Sequence, residues 1–186
     1  ANFTGIHFGS DVTDSTIKGN KIGTDITGNV IDPDGSPGSG DELGNSEYGV
    51  LLNPFFLDTV NRKNTIGGPD PSDANIISGN GIGVRLFNGA DENTIQGNLI
   101  GTNANGTNAL PNGKGIELLF SSKNVIDGNT ISGNTTGIEI GGSTGTDNLV
   151  VNNRIGLNAQ IGGSPPAEAP LPNTVGILIN DSPSNC

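Results

Sequence analysis

Two short patterns recur along the chain and alternate with each other. The first pairs amide residues five places apart with an apolar residue two places after each. It appears as STIKGNKIGT, NTIQGNLIGT, NVIDGNTISG and NLVVNNRIGL, beginning at residues 15, 93, 124 and 148. The second is a glycine followed by apolar residues, seen as GIHF, GVLL, GVRL, GIEL, GIEI and GILI. Such repetition restricts the fold to a stack of similar units.

The repeat favours strands over helices. Glycine and asparagine are weak helix formers, and the apolar residues recur every second place rather than every 3.6. The shortest full period, Gly115 to Gly137, is 22 residues, and inserted loops lengthen the others. A period of this length suits one coil with three short strands, stacked about 4.8 Å from the next. We therefore predict an all-β, single-stranded right-handed parallel β-helix (a solenoid) of about six coils, the hand being that of most parallel crossovers.

Stacking turns equivalent positions of successive coils into columns. Four columns are apolar throughout and are expected to line the interior. They are Ile6, Val50, Val84, Ile116, Ile138 and Ile177; Phe8, Leu52, Leu86, Leu118, Ile140 and Ile179; Ile17, Ile66, Ile95, Ile126 and Val150; and Ile22, Ile77, Ile100, Ile131 and Ile155.

Two further columns consist of asparagines, which we expect to be the outermost residues of the corners. They are Asn64, Asn93, Asn124 and Asn148, and Asn20, Asn75, Asn98, Asn129 and Asn153. An amide both donates and accepts, so stacked asparagines can join one coil to the next, a structural role we favour over sugar binding. The residues just before the first column (Asp14, Lys63, Glu92, Lys123 and Asp147) alternate in charge and predict cross-strand ion pairs.

The whole chain, residues 1–186, reads as one β-helix domain. The insertions 24–47, 102–113 and 157–174 follow the same position of the repeat and should project from one corner. Both chain ends lie inside the repeat pattern, which would leave an unpaired strand at each end. We expect a fragment of, or a module from, a longer solenoid, or end-to-end self-association.

Net charge and hydropathy exclude some classes of binding partner. Nineteen Asp and Glu against eight Lys and Arg give a formal net charge of −11. Such a surface repels phosphate backbones, so no nucleic-acid partner is expected. No apolar run is long enough to predict a membrane span.

Several segments carry a resemblance to a known group of proteins. NTIGG, ANIISGNG, NTIQGNLIGTNANGTNALPNGKGIEL and NVIDGNTISGN closely resemble repeats of the bacterial right-handed parallel β-helix proteins of the pectate-lyase-like superfamily. The resemblance runs from about Gly5 to Asn180. It implies a location outside the cell or on its surface. It also implies two alternatives, a structural or adhesive module and an enzyme acting on polysaccharide, since fold alone does not decide activity.

The outward column of the glycine-led strands holds the enzyme candidates Arg85, Glu117 and Glu139. Polysaccharide lyases of this superfamily use an Arg or Lys base beside carboxylate-bound calcium, and its epimerases carry an Asp-Pro-His motif. Asp32-Pro33-Asp34 lacks the histidine. An ordinary ion pair between Arg85 and Glu117 explains these residues as well as catalysis does, and we favour it.

Two other sets are candidates for ligand binding. Phe55 and Phe56 lie in a long loop, where exposed rings can stack on sugars, although packing over a neighbouring coil is the favoured alternative. The insertion DPDGSPGSGDE offers oxygen ligands for Ca²⁺ from Asp32, Asp34, Ser36, Asp41 and Glu42, although a solvated loop is the favoured alternative.

Taken together, the residues predict an extracellular or cell-surface β-helix module with a structural or adhesive role and contact with cell-surface glycan. The rival hypothesis is a polysaccharide lyase, epimerase or glycosidase. For cofactors, the expectation is none, with Ca²⁺ as the alternative. A flat threonine array for ice binding begins at Thr16, Thr65 and Thr94 but does not continue at Val125 and Leu149.

Overall fold

The computed structural model describes residues 2–36, 40, 42–55, 59–159 and 169–186. Within these residues the chain forms three parallel sheets, and successive strands of each sheet belong to successive coils. The fold is therefore a parallel β-helix with three strands per coil, as predicted.

The first sheet contains β1 (Thr4–Phe8), β4 (Tyr48–Leu52), β7 (Ile82–Phe87), β10 (Lys114–Leu119), β13 (Thr136–Gly141) and β16 (Val175–Asn180). The second contains β2 (Thr16–Ile17), β5 (Thr65–Gly67), β8 (Thr94–Gln96), β11 (Val125–Asp127) and β14 (Leu149–Val151). The third contains β3 (Lys21–Ile22), β6 (Ile76–Ile77), β9 (Leu99–Ile100), β12 (Thr130–Ile131) and β15 (Arg154–Ile155). A 3-10 turn, Pro71–Asp73, interrupts the second coil.

The strand register confirms all four predicted apolar columns. Ile116 pairs with Val84 on one side and Ile138 on the other, and Ile126 pairs with Ile95 and Val150 in the same way. In the middle coils these side chains are fully buried and form one continuous core. At the last strand the core opens, because Ile177 is 45 % and Ile179 52 % exposed.

The asparagine columns are real, but the expectation that they are outermost is wrong. Asn64, Asn75, Asn93 and Asn98 are fully buried. The Oδ1 atom of Asn129 accepts from the backbone N–H and the Nδ2 of Asn98, at 2.9 and 3.0 Å. Nδ2 of Asn98 also donates to the carbonyl of Ile66 at 2.9 Å. Because these donors and acceptors are paired inside the corner, the amide can be buried at little cost.

A third asparagine column was missed by the sequence reasoning. It joins the end of the third sheet to the start of the first and comprises Asn45, Asn80, Asn112, Asn134 and Asn173. The signal was present in the sequence, since four of these asparagines stand three residues before the glycine that leads each strand of the first sheet. The column that passes through Asn148 also continues to Asn185.

The leading glycine of each first-sheet strand is required by close packing. A Cβ added at Gly83 would lie 2.6 Å from the carbonyl oxygen of Gly115, and one at Gly115 would lie 2.5 Å from that of Gly137. No other residue fits where the corner brings the backbones of adjacent coils this close.

The charged column before β2, β5, β8, β11 and β14 has a backbone explanation. Asp14, Lys63, Glu92, Lys123 and Asp147 all adopt the left-handed conformation, with φ between 52° and 59°. Within the described part of the chain, the ion pairs join other residues: Lys18 with Asp73, and Arg85, Lys114, Glu117 and Glu139 with one another. The predicted cross-strand ion pairs are therefore not formed, and what these positions share is a tight turn between sheets.

The insertions leave one corner of the helix, after the third-sheet strands β3, β9 and β15. They come from alternate coils and meet across the short corners between them. The backbone N–H of Ala104 donates to Gly28 O at 2.9 Å, and that of Ala159 to Gly106 O at 2.8 Å. This loop stack confirms that the insertions project together.

None of the helical structure in the described ranges is long and apolar enough to cross a membrane.

Candidate functional site

The outer face of the first sheet brings together the three residues proposed as catalytic. Arg85 on β7 pairs in register with Glu117 on β10, and Glu117 with Glu139 on β13. Since side chains of a strand alternate between its two faces, all three point away from the apolar core. The neighbours of this column at the two ends, Leu51 and Leu178, are apolar.

Lys114, which the sequence reasoning did not single out, holds the two glutamates together. Its Nζ lies 2.5 Å from Oε1 of Glu117 and 2.7 Å from Oε2 of Glu139. Lys114 lies on the same strand as Glu117, three residues earlier. A period-two pattern would place residues three apart on opposite faces of the sheet. The ammonium of Lys114 nevertheless contacts Glu117 on the outer face, because its side chain is long and flexible.

Arg85 completes the cluster from the other side of Glu117. Its Nε lies 2.6 Å from Oε2 of Glu117, although the two atoms are not aligned as a hydrogen bond. Its Nη1 donates to the Tyr48 hydroxyl at 2.7 Å, and its guanidinium lies 4.5 Å from the centroid of the Phe87 ring. Arg85 is thus held by a carboxylate, a phenol and an aromatic face.

The charges of this cluster compensate one another. Glu117 is only 2 % exposed although it faces outward, because it lies between two cations. Partial burial lowers the pKa of Lys114, but its hydrogen bonds and Coulombic attraction to Glu117 and Glu139 outweigh that effect and raise the pKa above 10.5. Lys114 is therefore fully protonated at neutral pH, and the cluster of two cations and two carboxylates is neutral.

An open cleft of about 640 Å³ adjoins the cluster at the carboxyl ends of β10, β13 and β16. Its lining includes Phe120, Glu139, Ser143 and Asp181. Phe120 is 44 % exposed and packs edge-to-face against Phe87, with ring centroids 6.1 Å apart. Phe120 has a left-handed backbone, φ 54°, directly after β10, and it lines the cleft. The cleft combines an apolar ring with carboxylate and hydroxyl groups.

The aromatic candidate Phe55 lies two coils from Phe120, near the first strand. It is 61 % exposed and packs edge-to-face against His7, with ring centroids 5.0 Å apart. Phe56 lies outside the described residues. Phe55 therefore remains an exposed ring beside the first sheet, apart from the cleft at Phe120.

The acidic insertion uses its carboxylates to close turns. Oδ1 of Asp32 accepts the N–H of Gly35, Oδ1 of Asp34 that of Ser36, and Glu42 that of Gly40. Asp41 lies outside the described residues, and Ser36 is exposed. Across the residues that the structure describes, no three His, Cys, Asp or Glu side chains come together as a group able to hold a metal ion.

The donors suited to soft metals are few and far apart. The chain has one histidine, one cysteine and no methionine. His7 lies on β1, one edge strand of the first sheet, and Cys186 follows β16, the other edge strand. With five strand spacings between these edges, they are separated by about 24 Å along the helix axis.

Asp25, at the start of the first insertion, has a carboxylate that accepts several hydrogen bonds. A hydrogen bond from the Thr27 hydroxyl, with others from the backbone of Asn29 and Val30, lowers its pKa to about 2. Asn103 takes the same role in the next long loop, where its Oδ1 accepts the N–H of Thr107 and Asn108. The shared role is closure of a turn, which an uncharged amide performs as well.

Comparison with known proteins finds a family whose model matches most of the chain. The family model described as "Periplasmic copper-binding protein (NosD)" matches residues 12–181. No curated protein and no solved structure is matched by the chain.

Proposed function

This chain belongs to the NosD family, and we propose that it serves outside the cytoplasm as a rigid β-helix module that binds glycan on the outer face of its first sheet. The family's description as periplasmic supports that location. The role is structural or adhesive, and the enzyme hypothesis is the rival.

The copper named in the family description does not fit the residues present in this chain. Copper sites in proteins draw on cysteine, methionine and histidine. This chain offers only His7, on the first strand of the first sheet, and Cys186, whose backbone hydrogen-bonds to Asn148 and Val150 at the far edge of the second sheet. The function proposed for this chain therefore does not involve copper.

The observation that carries the proposal is the exposed ring of Phe120 at the edge of an open cleft. Sugar rings have an apolar C–H face that stacks on aromatic rings and hydroxyls around the rim that hydrogen-bond to carboxylates. Phe120 provides the first surface, and Glu139, Ser143 and Asp181 provide partners for the second. Glu139 lies on a strand of the first sheet, and Phe120, Ser143 and Asp181 lie in the turns that follow its strands. The fixed register of those strands places the groups side by side, which lowers the ordering cost of binding.

The same geometry argues against proton abstraction by this face. A general base must be unprotonated at the working pH, and the raised pKa of Lys114 is in the wrong direction. Arg85 and Glu117 neutralise each other and are held by further contacts. These residues are better suited to bracing the outer face than to chemistry on a substrate.

The proposal is tested by measuring the affinity of wild-type protein for oligosaccharides, by calorimetry or a glycan array. We expect the Phe120→Ala variant to bind roughly tenfold more weakly, because loss of a stacking ring costs on the order of 1.4 kcal/mol. Phe3→Ala is the matched control, since Phe3 is also exposed but lies at the start of the first strand, away from the cleft.

Two results would contradict the proposal: no binding to any glycan, or equal affinities for wild type and Phe120→Ala. The rival hypothesis is examined with the same oligosaccharides, by assaying unsaturated products and new reducing ends. Turnover that disappears in Glu117→Gln and Arg85→Met, both still folded by circular dichroism, would replace binding with catalysis.

A further inference from the structure

The cleft at Phe120 is lined by acidic side chains, and their charge affects which class of glycan would bind there. We infer that this cleft selects sugar units that are uncharged or carry an amine, and that it disfavours uronates. The inference rests on the proposed function and adds the ligand class. It differs from the acidic polysaccharides on which many enzymes of related shape act.

The charged side chains that line the cleft are both acidic. They are Glu139, whose Oε2 meets Lys114, and Asp181, which is exposed just after β16. Sugar hydroxyls donate to carboxylate oxygens, and an ammonium group does so with charge assistance. A uronate brings another carboxylate into a site that already holds two, where like charges repel.

The cations nearest the cleft already form ion pairs with carboxylates of the protein. Lys114 contacts Glu117 and Glu139 at 2.5 and 2.7 Å. Arg85 contacts Glu117 at 2.6 Å and the Tyr48 hydroxyl at 2.7 Å. A uronate could recruit either cation only by displacing a carboxylate that is already in place, so no net attraction is gained.

The charge sum leads to the same conclusion. The cluster formed by Arg85, Lys114, Glu117 and Glu139 is neutral, so Asp181 leaves the face with an excess of one negative charge. The chain as a whole carries −11, which adds a long-range preference of the same sign. Asp181 is the residue that makes the preference local.

The experiment compares three oligosaccharide classes of equal length: chitosan oligomers, neutral chito- or cello-oligomers, and oligogalacturonates. Affinities are measured by calorimetry at low and physiological salt. We expect oligogalacturonates to bind at least tenfold more weakly than the neutral oligomers, and chitosan oligomers to bind more tightly than the neutral ones.

Asp181→Asn distinguishes local selection from general attraction to an acidic protein. Asp181 has a left-handed backbone, φ 48°, which asparagine tolerates, so the fold should be preserved. We expect this variant to lose the preference for chitosan over neutral oligomers. The matched control is Asp70→Asn, which removes an equal charge from an exposed residue beside the 3-10 turn, far from the first sheet. It should keep the preference.

Each outcome has a distinct meaning. Oligogalacturonates binding as tightly as neutral oligomers would overturn the inference and leave the proposed function standing. Equal losses in Asp181→Asn and Asp70→Asn would also overturn it, because the preference would then be a property of net charge. Absence of binding to all three classes would overturn the proposed function together with the inference.

Discussion

At the scale of single residues, the asparagine columns are the main devices that join one coil to the next. The Oδ1 atom of Asn98 is the acceptor for two donors of Asn75, its backbone N–H at 3.1 Å and its Nδ2 at 2.9 Å. Asn98 then donates to the carbonyls of Ile66 and Gln96. One side chain thus satisfies buried groups on two coils.

We predict that Asn98→Ala lowers the free energy of unfolding by roughly 3 kcal/mol, because it leaves the buried backbone N–H of Asn75 without its acceptor and removes one of the two acceptors of the Asn75 Nδ2. Urea unfolding followed by circular dichroism measures the change. Asn105→Ala is the control, since Asn105 is exposed in an inserted loop, and a surface change of this kind should stay within about 0.5 kcal/mol. Equal effects of the two substitutions would refute a structural role for the column.

A second residue-scale prediction concerns Lys114. Its folded pKa is raised, so its contribution to stability is complete below its unfolded pKa, near 10.5, and is lost as pH rises through the folded value. We therefore expect the stability difference between wild type and Lys114→Met to be constant from neutral pH to about pH 9 and to shrink above pH 10.5.

Unfolding in urea at several pH values provides the measurement. Lys18→Met is the comparison, because Lys18 forms an exposed ion pair with Asp73 at 3.1 Å and such pairs contribute little. A difference for Lys114→Met that persists unchanged at pH well above 10.5 would show that the contacts in the cluster do not raise the pKa of this ammonium.

Residue-scale prediction from the sequence was uneven for a physical reason. Stacking of Arg85 on Glu117 followed from the period-two register, but the reach of Lys114 did not, because a flexible side chain can leave the face that its Cα implies. Burial of Asn64 and Asn98 was also missed. Polarity suggests exposure, whereas paired hydrogen bonds permit burial, and that pairing appears only when the coils are stacked.

At the scale of strands, positions that are equivalent in sequence differ in energy according to their neighbours. Ile138 and Ile177 belong to one column and pair directly with each other. Ile138 has a coil on each side and is fully buried, whereas Ile177 on the edge strand β16 is 45 % exposed. The difference comes from position in the stack, since the residue type is the same.

We expect Ile138→Ala to cost about 2–5 kcal/mol, as a large-to-small change in a closed core does, and Ile177→Ala to cost about 1 kcal/mol. Denaturant unfolding of the two variants at constant m value makes the comparison. The two substitutions are matched in chemistry and strand type, so similar costs would mean that the edge strand is covered in solution.

Strand register was the most predictable part of this fold. One glycine-led tetrapeptide per coil aligned β1 to β16, and a one-residue slip would have put every apolar side chain outside. Turn conformation was less predictable. Lys63, Glu92 and Lys123 share a left-handed backbone, but the sequence suggested a pattern of charges instead. Side-chain charge can be seen in a sequence, whereas the backbone angle φ cannot.

At the scale of the whole molecule, a β-helix is nearly one-dimensional, because in the described residues each strand pairs only with strands of the neighbouring coils and the inserted loops reach no further than the next coil but one. Groups on the first and last coils therefore cannot meet within one chain. His7 and Cys186 are such a pair. The cleft at Phe120 and the exposed ring of Phe55, in contrast, can both contact one extended ligand that runs along the axis.

For copper, we predict no stoichiometric binding by this chain. Equilibrium dialysis against micromolar Cu(I) and Cu(II), followed by metal analysis, should give sub-stoichiometric values that are unchanged in a His7→Ala, Cys186→Ser double variant. The melting temperature should not rise on addition of copper, since a ligand that binds only the native state would raise it. One equivalent of copper that is lost in the double variant would contradict this prediction.

The loop stack at the third-sheet corner has a consequence for how this protein can vary. Long loops leave the first, third and fifth coils, and the second and fourth coils turn with short corners between them. Because these corners are short, the long loops on either side of them contact each other. The N–H of Ala104 donates to the carbonyl of Gly28, and that of Ala159 donates to the carbonyl of Gly106. Lengthening a short corner would separate two neighbouring loops, so tolerance to insertion has a period of two coils, twice that of the strands.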